Sequence, residues 1–133
     1  MSQTHRKDGG LIDQDKTITF TFNGQILRGC EGDTLASALL ANNKHLVGRS
    51  FKYHRPRGIV TVGSEEPNAI MEIGSGAHKE PNTRATVTQL YNGLEANSQN
   101  HRGPLSFDFM AITDFFSPML GAGFYYKTFM WPK

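Results

Sequence analysis

Apolar and polar residues alternate along Thr17–Phe22, where every second residue is Ile or Phe. Such a period of two is typical of a strand with one buried face. Asn23-Gly24 follows at once, and this dipeptide favours a two-residue hairpin turn because both residues tolerate positive φ. Residues 25–28 then supply the returning strand. The pattern predicts a β-hairpin at the start of the ordered chain.

The period changes after Gly32, since the apolar residues of 35–41 recur at helical spacing. Asp33 is placed to cap this helix, and Asn42-Asn43 is expected to end it. Cys30 lies in the glycine-rich turn before the helix. Because a free cysteine is most often a small buried residue, we interpret Cys30 as structural.

Short apolar runs separated by turn residues follow the helix. Strands are predicted over residues 59–62, 69–73 and 84–90, with one more short strand after the turn at Tyr91-Asn92-Gly93. Hairpin, helix and several short strands is the element order of a β-grasp domain, in which a mixed sheet packs on one helix. We therefore predict an α+β fold for residues 17–100.

Two segments flank this domain. Residues 1–16 are polar with almost no apolar content and predict a flexible N-terminal arm. Residues 101–133 form an extension that is rich in Phe, Tyr, Trp and Met but keeps no clean period, although Phe109, Ile112, Phe116 and Leu120 would share one face of a helix. The extension either packs against something outside the domain or folds back to complete the local core. Its ending suggests a fragment of a longer polypeptide.

The charge and the cysteine content of the chain limit the classes of function that it can have. The 133 residues carry a formal net charge of only +2, whereas a dedicated nucleic-acid binder usually shows a dominant basic surface. A single cysteine excludes an internal disulfide and cannot hold a zinc or iron-sulfur site by itself. The sequence contains no run of eighteen apolar residues that would suggest a membrane span, and its N-terminal residues lack the apolar core of a secretory signal. We expect a cytoplasmic protein.

Positive charge is concentrated in residues 48–58, which we call the basic loop. Its candidate anion-binding residues are the four cations and two hydroxyl side chains Arg49, Ser50, Lys52, Tyr53, Arg55 and Arg57. Pro56 between two arginines favours an extended backbone that would splay their guanidinium groups. Such groups suit bidentate binding of phosphate or carboxylate. The competing interpretation is a solvated loop whose charges contribute little.

The basic loop, with the following segment that begins Val62-Gly63-Ser64-Glu65-Glu66, closely resembles the amino-terminal region of the α subunit of heterotetrameric sarcosine oxidases. Two segments of the extension, Phe115-Phe116-Ser117-Pro118-Met119 and Phe129-Met130-Trp131-Pro132, are similar to the same subunit. The resemblance covers about residues 16–133. It implies a 2Fe-2S ferredoxin-like β-grasp domain in an enzyme that demethylates sarcosine oxidatively to glycine.

The resemblance also implies cofactors and partners. The family's enzyme uses FAD, FMN and NAD, passes the one-carbon unit to tetrahydrofolate or releases it as formaldehyde, and produces hydrogen peroxide. The remainder of the α subunit and the β, γ and δ subunits would be the partners. This sequence shows no glycine-rich dinucleotide signature, so the chain itself is expected to hold no cofactor and to be inactive alone.

Relatives that keep a 2Fe-2S cluster bind it through Cys-x4-Cys-x2-Cys and one distant Cys. By this resemblance the ligand positions fall on Thr61, Glu66, Ala69 and Thr86. Two hydroxyls, a carboxylate and a methyl group cannot replace four thiolates, so no cluster is expected.

Weaker candidates remain. Glu65-Glu66 is interpreted as a solvated turn or as an ion-pair partner of the basic loop rather than as a catalytic pair. The five histidines show no metal-ligand spacing and are expected to be exposed. Two other function classes stay open: a self-standing protein-interaction module, and a single-stranded nucleic-acid binder in which Phe51 and Tyr53 stack on bases.

Overall fold

The computed structural model describes residues 3–119. Its first elements are the predicted hairpin, in which β1 pairs with β2 in antiparallel register from Thr17 opposite Cys30 to Phe22 opposite Gln25. Asn23 and Gly24 adopt φ values of 49° and 78°, as the two-residue turn requires. The described residues form seven strands: β1 (Thr17–Phe22), β2 (Gln25–Cys30), β3 (Gly48–Arg49), β4 (Pro56–Arg57), β5 (Ile70–Ile73), β6 (Glu80–Arg84) and β7 (Glu95–Ser98).

Five of these strands form one mixed sheet in the order β2-β1-β7-β5-β6. The central pair, β1 and β7, runs parallel, and the other neighbours are antiparallel. Strands β3 and β4 form a separate two-stranded hairpin. A mixed sheet that packs across one helix is the β-grasp architecture, so the predicted α+β fold is confirmed.

Helix α1 (Leu35–Ala41) buries Leu35, Ala38 and Leu39 completely against the sheet. Its cap is Thr34 rather than Asp33: the Thr34 hydroxyl accepts from the Ser37 N–H, and the Ser37 hydroxyl accepts from the Thr34 N–H. The prediction for Asp33 was therefore wrong. The core that α1 covers is built from both halves of the sheet and includes Phe20, Leu27, Met71, Leu94 and Ala96.

Two predicted strands are absent from the described part of the chain. Residues 59–62 form no strand, because the backbone N–H groups of Val60 and Thr61 donate to the Glu66 side chain instead of to a neighbouring strand. Residues 85–90 turn towards the start of α1, where the Thr88 and Ala85 carbonyls accept from the Leu35 and Ala36 N–H groups. Strand β6 (Glu80–Arg84) forms the edge of the sheet next to β5 and overlaps the predicted range of 84–90 only at Arg84.

The described part of the N-terminal arm lies on the domain. The Arg6 guanidinium pairs with the carboxylate of Asp33, which is fully buried, and the Gln3 side chain donates to the Arg28 carbonyl. Asp33 also accepts from the Cys30 N–H at 2.9 Å. Cys30 is 1% exposed, in agreement with its structural interpretation. The predicted flexibility of residues 1–16 stays a prediction, but these contacts give the arm a defined position.

In residues 101–119, a 3-10 helix (Phe109–Ala111) leads into α2 (Ile112–Phe115). Leu105 packs partly against the core, whereas the aromatic residues that follow it are largely exposed. Leu120 and the segment Phe129-Met130-Trp131-Pro132 lie outside the described residues. Among the residues described, no helix is long and apolar enough to cross a bilayer.

Candidate functional site

The basic loop is a small hairpin held at both ends. Gly48 pairs with Arg57 and Arg49 with Pro56 across β3 and β4, and the Ser50 N–H donates to the Arg55 carbonyl at 2.9 Å. The Ser50 hydroxyl accepts from the Arg55 N–H at 3.0 Å, so this side chain serves the turn. At the loop's end a Cβ on Gly58 would lie 2.8 Å from the His45 carbonyl oxygen, so only glycine fits there.

Arg49 ties the basic loop to the extension. Its Nε and Nη2 donate to the Leu105 carbonyl at 3.1 and 3.0 Å, Nη2 donates to the Ser106 carbonyl at 3.2 Å, and Nη1 donates to the His54 carbonyl at 2.9 Å. A planar guanidinium can meet several acceptors in this way, whereas an ammonium cannot reproduce the fork. Arg49 thus joins two segments that are more than fifty residues apart in the sequence.

A second link joins His54 to Asp108. The His54 Nδ1 lies 2.6 Å from Asp108 Oδ2, and the Asp108 side chain is inaccessible to solvent. The expectation that every histidine is exposed was wrong for His54, whose side chain is 14% exposed, and for the half-buried His101. His54 reaches this position with a left-handed backbone, at φ 54°. Its partner caps the 3-10 helix, since Asp108 Oδ1 accepts from the Met110 and Arg102 N–H groups.

Hydrogen bonding determines the ionisation of Asp108. Burial tends to raise the pKa of this carboxyl, but the N–H groups of Arg102 and Met110 and the hydrogen bond and charge of His54 outweigh burial and lower the pKa below its ordinary value. Asp108 is therefore ionised at neutral pH. This favours a His54 ring that donates from Nδ1.

Two cations lie close to the aromatic ring of Tyr53. The Lys52 Nζ is 5.1 Å and the Arg55 Cζ 4.9 Å from the ring centroid, distances that suit cation-π attraction. Arg55 Nε also donates to Asp114 Oδ1 at 2.6 Å, although both side chains are nearly half exposed. The Lys52 carbonyl accepts from the Thr113 hydroxyl at 3.4 Å. Residues 101–114 and the basic loop therefore form one continuous surface.

Arg57 differs from the other arginines of the basic loop. Its backbone pairs in β4 and accepts from the Val47 N–H, but within residues 3–119 its guanidinium makes no hydrogen bond or ion pair. The structure thus brings the six predicted residues together on one hairpin and gives them different surroundings. Their predicted contact with a cofactor stays a prediction.

A contrasting site lies on the segment that follows the basic loop. Residues 60–69, which we call the Glu66 loop, fold around the Glu66 carboxylate, which is 1% exposed. Four backbone N–H groups and one hydroxyl donate to it: Val60 N at 3.0 Å, Thr61 N at 2.6 Å, Thr61 Oγ1 at 3.1 Å, Asn68 N at 3.0 Å and Ala69 N at 3.2 Å. The interpretation of Glu65-Glu66 as a solvated turn was therefore wrong for Glu66 and holds only for the exposed Glu65.

Two opposing effects act on the Glu66 carboxyl. Burial tends to raise its pKa, and the N–H groups of Thr61, Asn68 and Val60 and the Thr61 hydroxyl lower it by more. The resulting pKa lies below the ordinary value of a glutamate, so Glu66 is held as an anion. The loop is closed on its other side by Thr86, whose hydroxyl donates to the Gly63 carbonyl at 2.7 Å.

Comparison with known proteins places this geometry in a family. Residues 15–101 match the family described as "2Fe-2S iron-sulfur cluster binding domain". The chain belongs to this family. The match spans the whole sheet and α1 and ends near the start of the extension.

Alignments with individual relatives cover more of the chain than the family match does. The chain is 60% identical over 132 residues, or 99% of its length, to the protein named "Sarcosine oxidase subunit alpha" of Rhizobium meliloti (strain 1021). It is 39% identical over 73% of its length to the protein of the same name from Corynebacterium sp. (strain U-96). The chain spans only 13% and 10% of the lengths of these two relatives.

A solved structure shares the fold. L-proline dehydrogenase from P. horikoshii superposes with a TM-score of 0.53 at 26% sequence identity, over 74% of this chain and 17% of that chain. The homology to sarcosine oxidase α subunits agrees with the resemblance found in the sequence.

The residues present do not fit a 2Fe-2S cluster. Of the four positions assigned by resemblance, Glu66 turns its carboxylate towards backbone N–H groups, Thr61 donates its hydroxyl to Glu66, Thr86 donates to Gly63, and Ala69 offers only a methyl group. The chain's one cysteine lies far from this loop in sequence, on β2. Within residues 3–119 no three His, Cys, Asp or Glu side chains are grouped to hold a metal ion.

Sequence reasoning missed the residues that organise both loops. Asp108 and Leu105 gave no local signal, since their partners in the basic loop, His54 and Arg49, lie more than fifty positions away. Glu66 did stand at an assigned cluster position, and that position could have pointed to an inward carboxylate. The spacing of Thr61 and Glu66 in the sequence could not show that backbone N–H groups would converge on the Glu66 carboxylate.

Proposed function

We propose that the chain is a non-catalytic domain in the α subunit of a multisubunit flavoenzyme that oxidatively demethylates sarcosine to glycine. The observation that carries this proposal is the 60% identity to a sarcosine oxidase α subunit over 99% of the chain. Identity at this level, extending through the segment after the family match, supports a shared role for the domain and for the start of the extension. The one-carbon unit would pass to tetrahydrofolate, and oxygen would be reduced to hydrogen peroxide.

In this proposal the cofactors FAD, FMN and NAD belong to the assembled enzyme, and the chemistry is carried by parts outside these 133 residues. The remainder of the α subunit and the β, γ and δ subunits are the partners, in the cytoplasm, with neither nucleic acid nor membrane involved. The donor set of the Glu66 loop supports a domain without electron-transfer chemistry, because it contains no thiolate.

The basic loop is proposed to contact a cofactor phosphate or an acidic surface at a domain or subunit interface. Arg57 supports this best, since its guanidinium is not engaged by any residue of the described chain. Arg55, Lys52 and Tyr53 would add charge and a ring face beside it, with Asp114 as the group that an incoming anion displaces from Arg55. Arg49 and Ser50 would act by holding the hairpin in shape.

The extension adds a neighbouring apolar surface. Its exposed side chains are Phe107, Phe109, Ile112, Phe115, Phe116 and Met119, each at least 45% exposed. Exposed apolar side chains concentrated in one short segment are characteristic of a surface that packs on another protein part. We propose that residues 101–133 dock the domain on the rest of the subunit or on its partners.

The test uses the full-length α subunit expressed with its partner subunits. Arg55→Ala and Arg57→Ala, singly and together, should lower the FMN or NAD content or the yield of assembled enzyme. Arg28→Ala is the matched control, because Arg28 is an exposed arginine on β2, outside the basic loop. Unchanged cofactor content together with unchanged assembly in the double variant would refute the role of the basic loop. Absence of flavin and of sarcosine oxidation in the wild-type complex would refute the enzyme assignment.

A further inference from the structure

The Glu66 carboxylate lies inside a ring of donors that belongs to one short loop. Its Oε2 accepts from Val60 and Thr61 on one side, and its Oε1 accepts from Asn68 and Ala69 on the other. No arginine or lysine side chain pairs with this carboxylate in the described part of the chain. Arg84 Nε donates to the Glu66 backbone carbonyl at 3.3 Å rather than to the side chain.

Several backbone N–H groups that converge on one point form an anion site, as in phosphate-binding loops. Left without an acceptor, each buried N–H group would lose its hydrogen bonds to water without replacement. The Glu66 carboxylate supplies both the acceptors and the negative charge. This arrangement explains how a fully buried glutamate is tolerated without a countercharge.

The position of this anion is informative because of the family to which the chain belongs. Glu66, Thr61, Ala69 and Thr86 are the positions that the resemblance assigns to cluster ligands, and the structure places all four on or against the Glu66 loop. In a cluster-binding relative an anionic inorganic group would stand at this place. Here a protein side chain occupies the same loop.

We propose that the Glu66 loop is a self-filled anion site, in which the Glu66 carboxylate takes the place of an inorganic anion and organises residues 60–69 without metal. The loop then folds in the absence of iron and sulfide. Removal of the side chain leaves a ring of N–H donors with the size and charge preference for a small carboxylate such as formate or acetate. This inference concerns only the loop and does not depend on the proposed enzyme function.

Local hydrogen exchange tests the proposal in the full-length protein. In Glu66→Gln, which keeps the shape of the side chain, peptides that cover residues 58–71 should exchange at least about tenfold faster than in the wild type, since the N–H donors lose a charged acceptor. Glu65→Gln is the matched control, as its side chain is exposed on the same turn. Equal exchange in the Glu66→Gln and Glu65→Gln variants would overturn the proposal.

Chemical rescue gives an independent measurement. The thermal midpoint of Glu66→Ala should rise with added sodium formate more than with sodium chloride at equal ionic strength, while wild type and Glu65→Gln respond equally to both salts. If Glu66→Ala does not fold, the exchange measurement on Glu66→Gln decides. Lack of any formate preference in a folded Glu66→Ala would overturn the site's anion character.

Incubation of the wild-type protein with ferric iron and sulfide under anaerobic conditions completes the test. After desalting we expect no stoichiometric iron and no visible absorption beyond that of the same protein before the incubation. Bound iron and sulfide in equal amounts would show that the loop still accepts a cluster and would overturn the proposal.

Discussion

Two consecutive loops neutralise charge in opposite ways. The Glu66 loop surrounds one buried anion with backbone N–H groups, and all its donors come from within ten residues. The basic loop gathers four cations, and two of them, Arg49 and Arg55, find most of their acceptors in residues 105–114, in another part of the chain. The first site is closed and saturated, whereas the second is open and depends on a neighbouring segment. The difference indicates that the Glu66 loop stabilises the domain and that the basic loop joins it to something else.

The largest expected effect is that of Glu66→Gln. At neutral pH we expect the free energy of unfolding to fall by about 3 kcal/mol, since several hydrogen bonds to a buried charged group are lost. Glu65→Gln should change it by less than about 0.5 kcal/mol, as a surface substitution. Urea unfolding at neutral pH measures both. An effect of Glu66→Gln as small as that of Glu65→Gln would remove the contrast between the two loops.

Lowering the pH should abolish the difference in the free energy of unfolding between the wild type and Glu66→Gln. The pKa of Glu66 is lower in the folded protein than in the unfolded chain, so the unfolded chain binds more protons as the pH falls. The stabilisation is therefore fully present above the ordinary glutamate pKa of about 4.3 and is lost as the pH falls through the lower folded value. In urea unfolding between neutral pH and about pH 3, the free energy of unfolding of the wild type should approach that of Glu66→Gln as the pH falls. If the difference in the free energy of unfolding between the two proteins were the same at every pH, Glu66 could not be ionised in the folded protein.

Asp108→Asn should have the next largest effect, about 2 kcal/mol, because a buried amide cannot accept from Arg102, Met110 and His54 together. Hydrogen exchange should increase in residues 101–111 and in the basic loop, but not in the Glu66 loop. Asp15→Asn, an exposed position in the arm, is the control. Equal protection of residues 101–111 in both variants would mean that the extension does not hold the basic loop.

Arg49→Lys should cost about 1 kcal/mol, because an ammonium cannot serve the carbonyls of Leu105, Ser106 and His54 at once. The thermal midpoint should fall relative to Arg28→Lys, which changes an exposed arginine on β2. Identical midpoints for the two lysine variants would show that charge alone, and not the guanidinium fork, joins the loop to the extension.

The smallest effect is expected for the exposed pair Arg55 and Asp114. A double-mutant cycle with alanine at both positions should give a coupling energy below about 0.5 kcal/mol, since solvent screens this pair. Denaturant unfolding of the four proteins measures it. A coupling above about 1 kcal/mol would make the pair structural and would weaken the proposal that an external anion displaces Asp114.

Much of the fold followed from local patterns. The first hairpin could be predicted because its strand alternation and its Asn-Gly turn agree, and α1 because its apolar spacing is helical. Residues 59–62 and 84–90 were assigned wrongly because apolar, β-branched runs look the same whether their N–H groups pair with a strand, a carboxylate or a helix start. Only the partner distinguishes these cases, and the partner is not local.

The candidate site was likewise predictable only in part from the sequence. The sequence by itself determined that cations cluster in residues 48–58, that the chain has one cysteine, and that the assigned cluster positions carry no thiol. Only the tertiary structure decided that Arg49 and His54 are engaged by the extension, that Arg57 is not engaged within the described residues, and that Glu66 points inward. Composition and spacing fix which charges a chain carries, but which of them is buried depends on the path of the backbone, because N–H and carbonyl groups look identical at every position of a sequence.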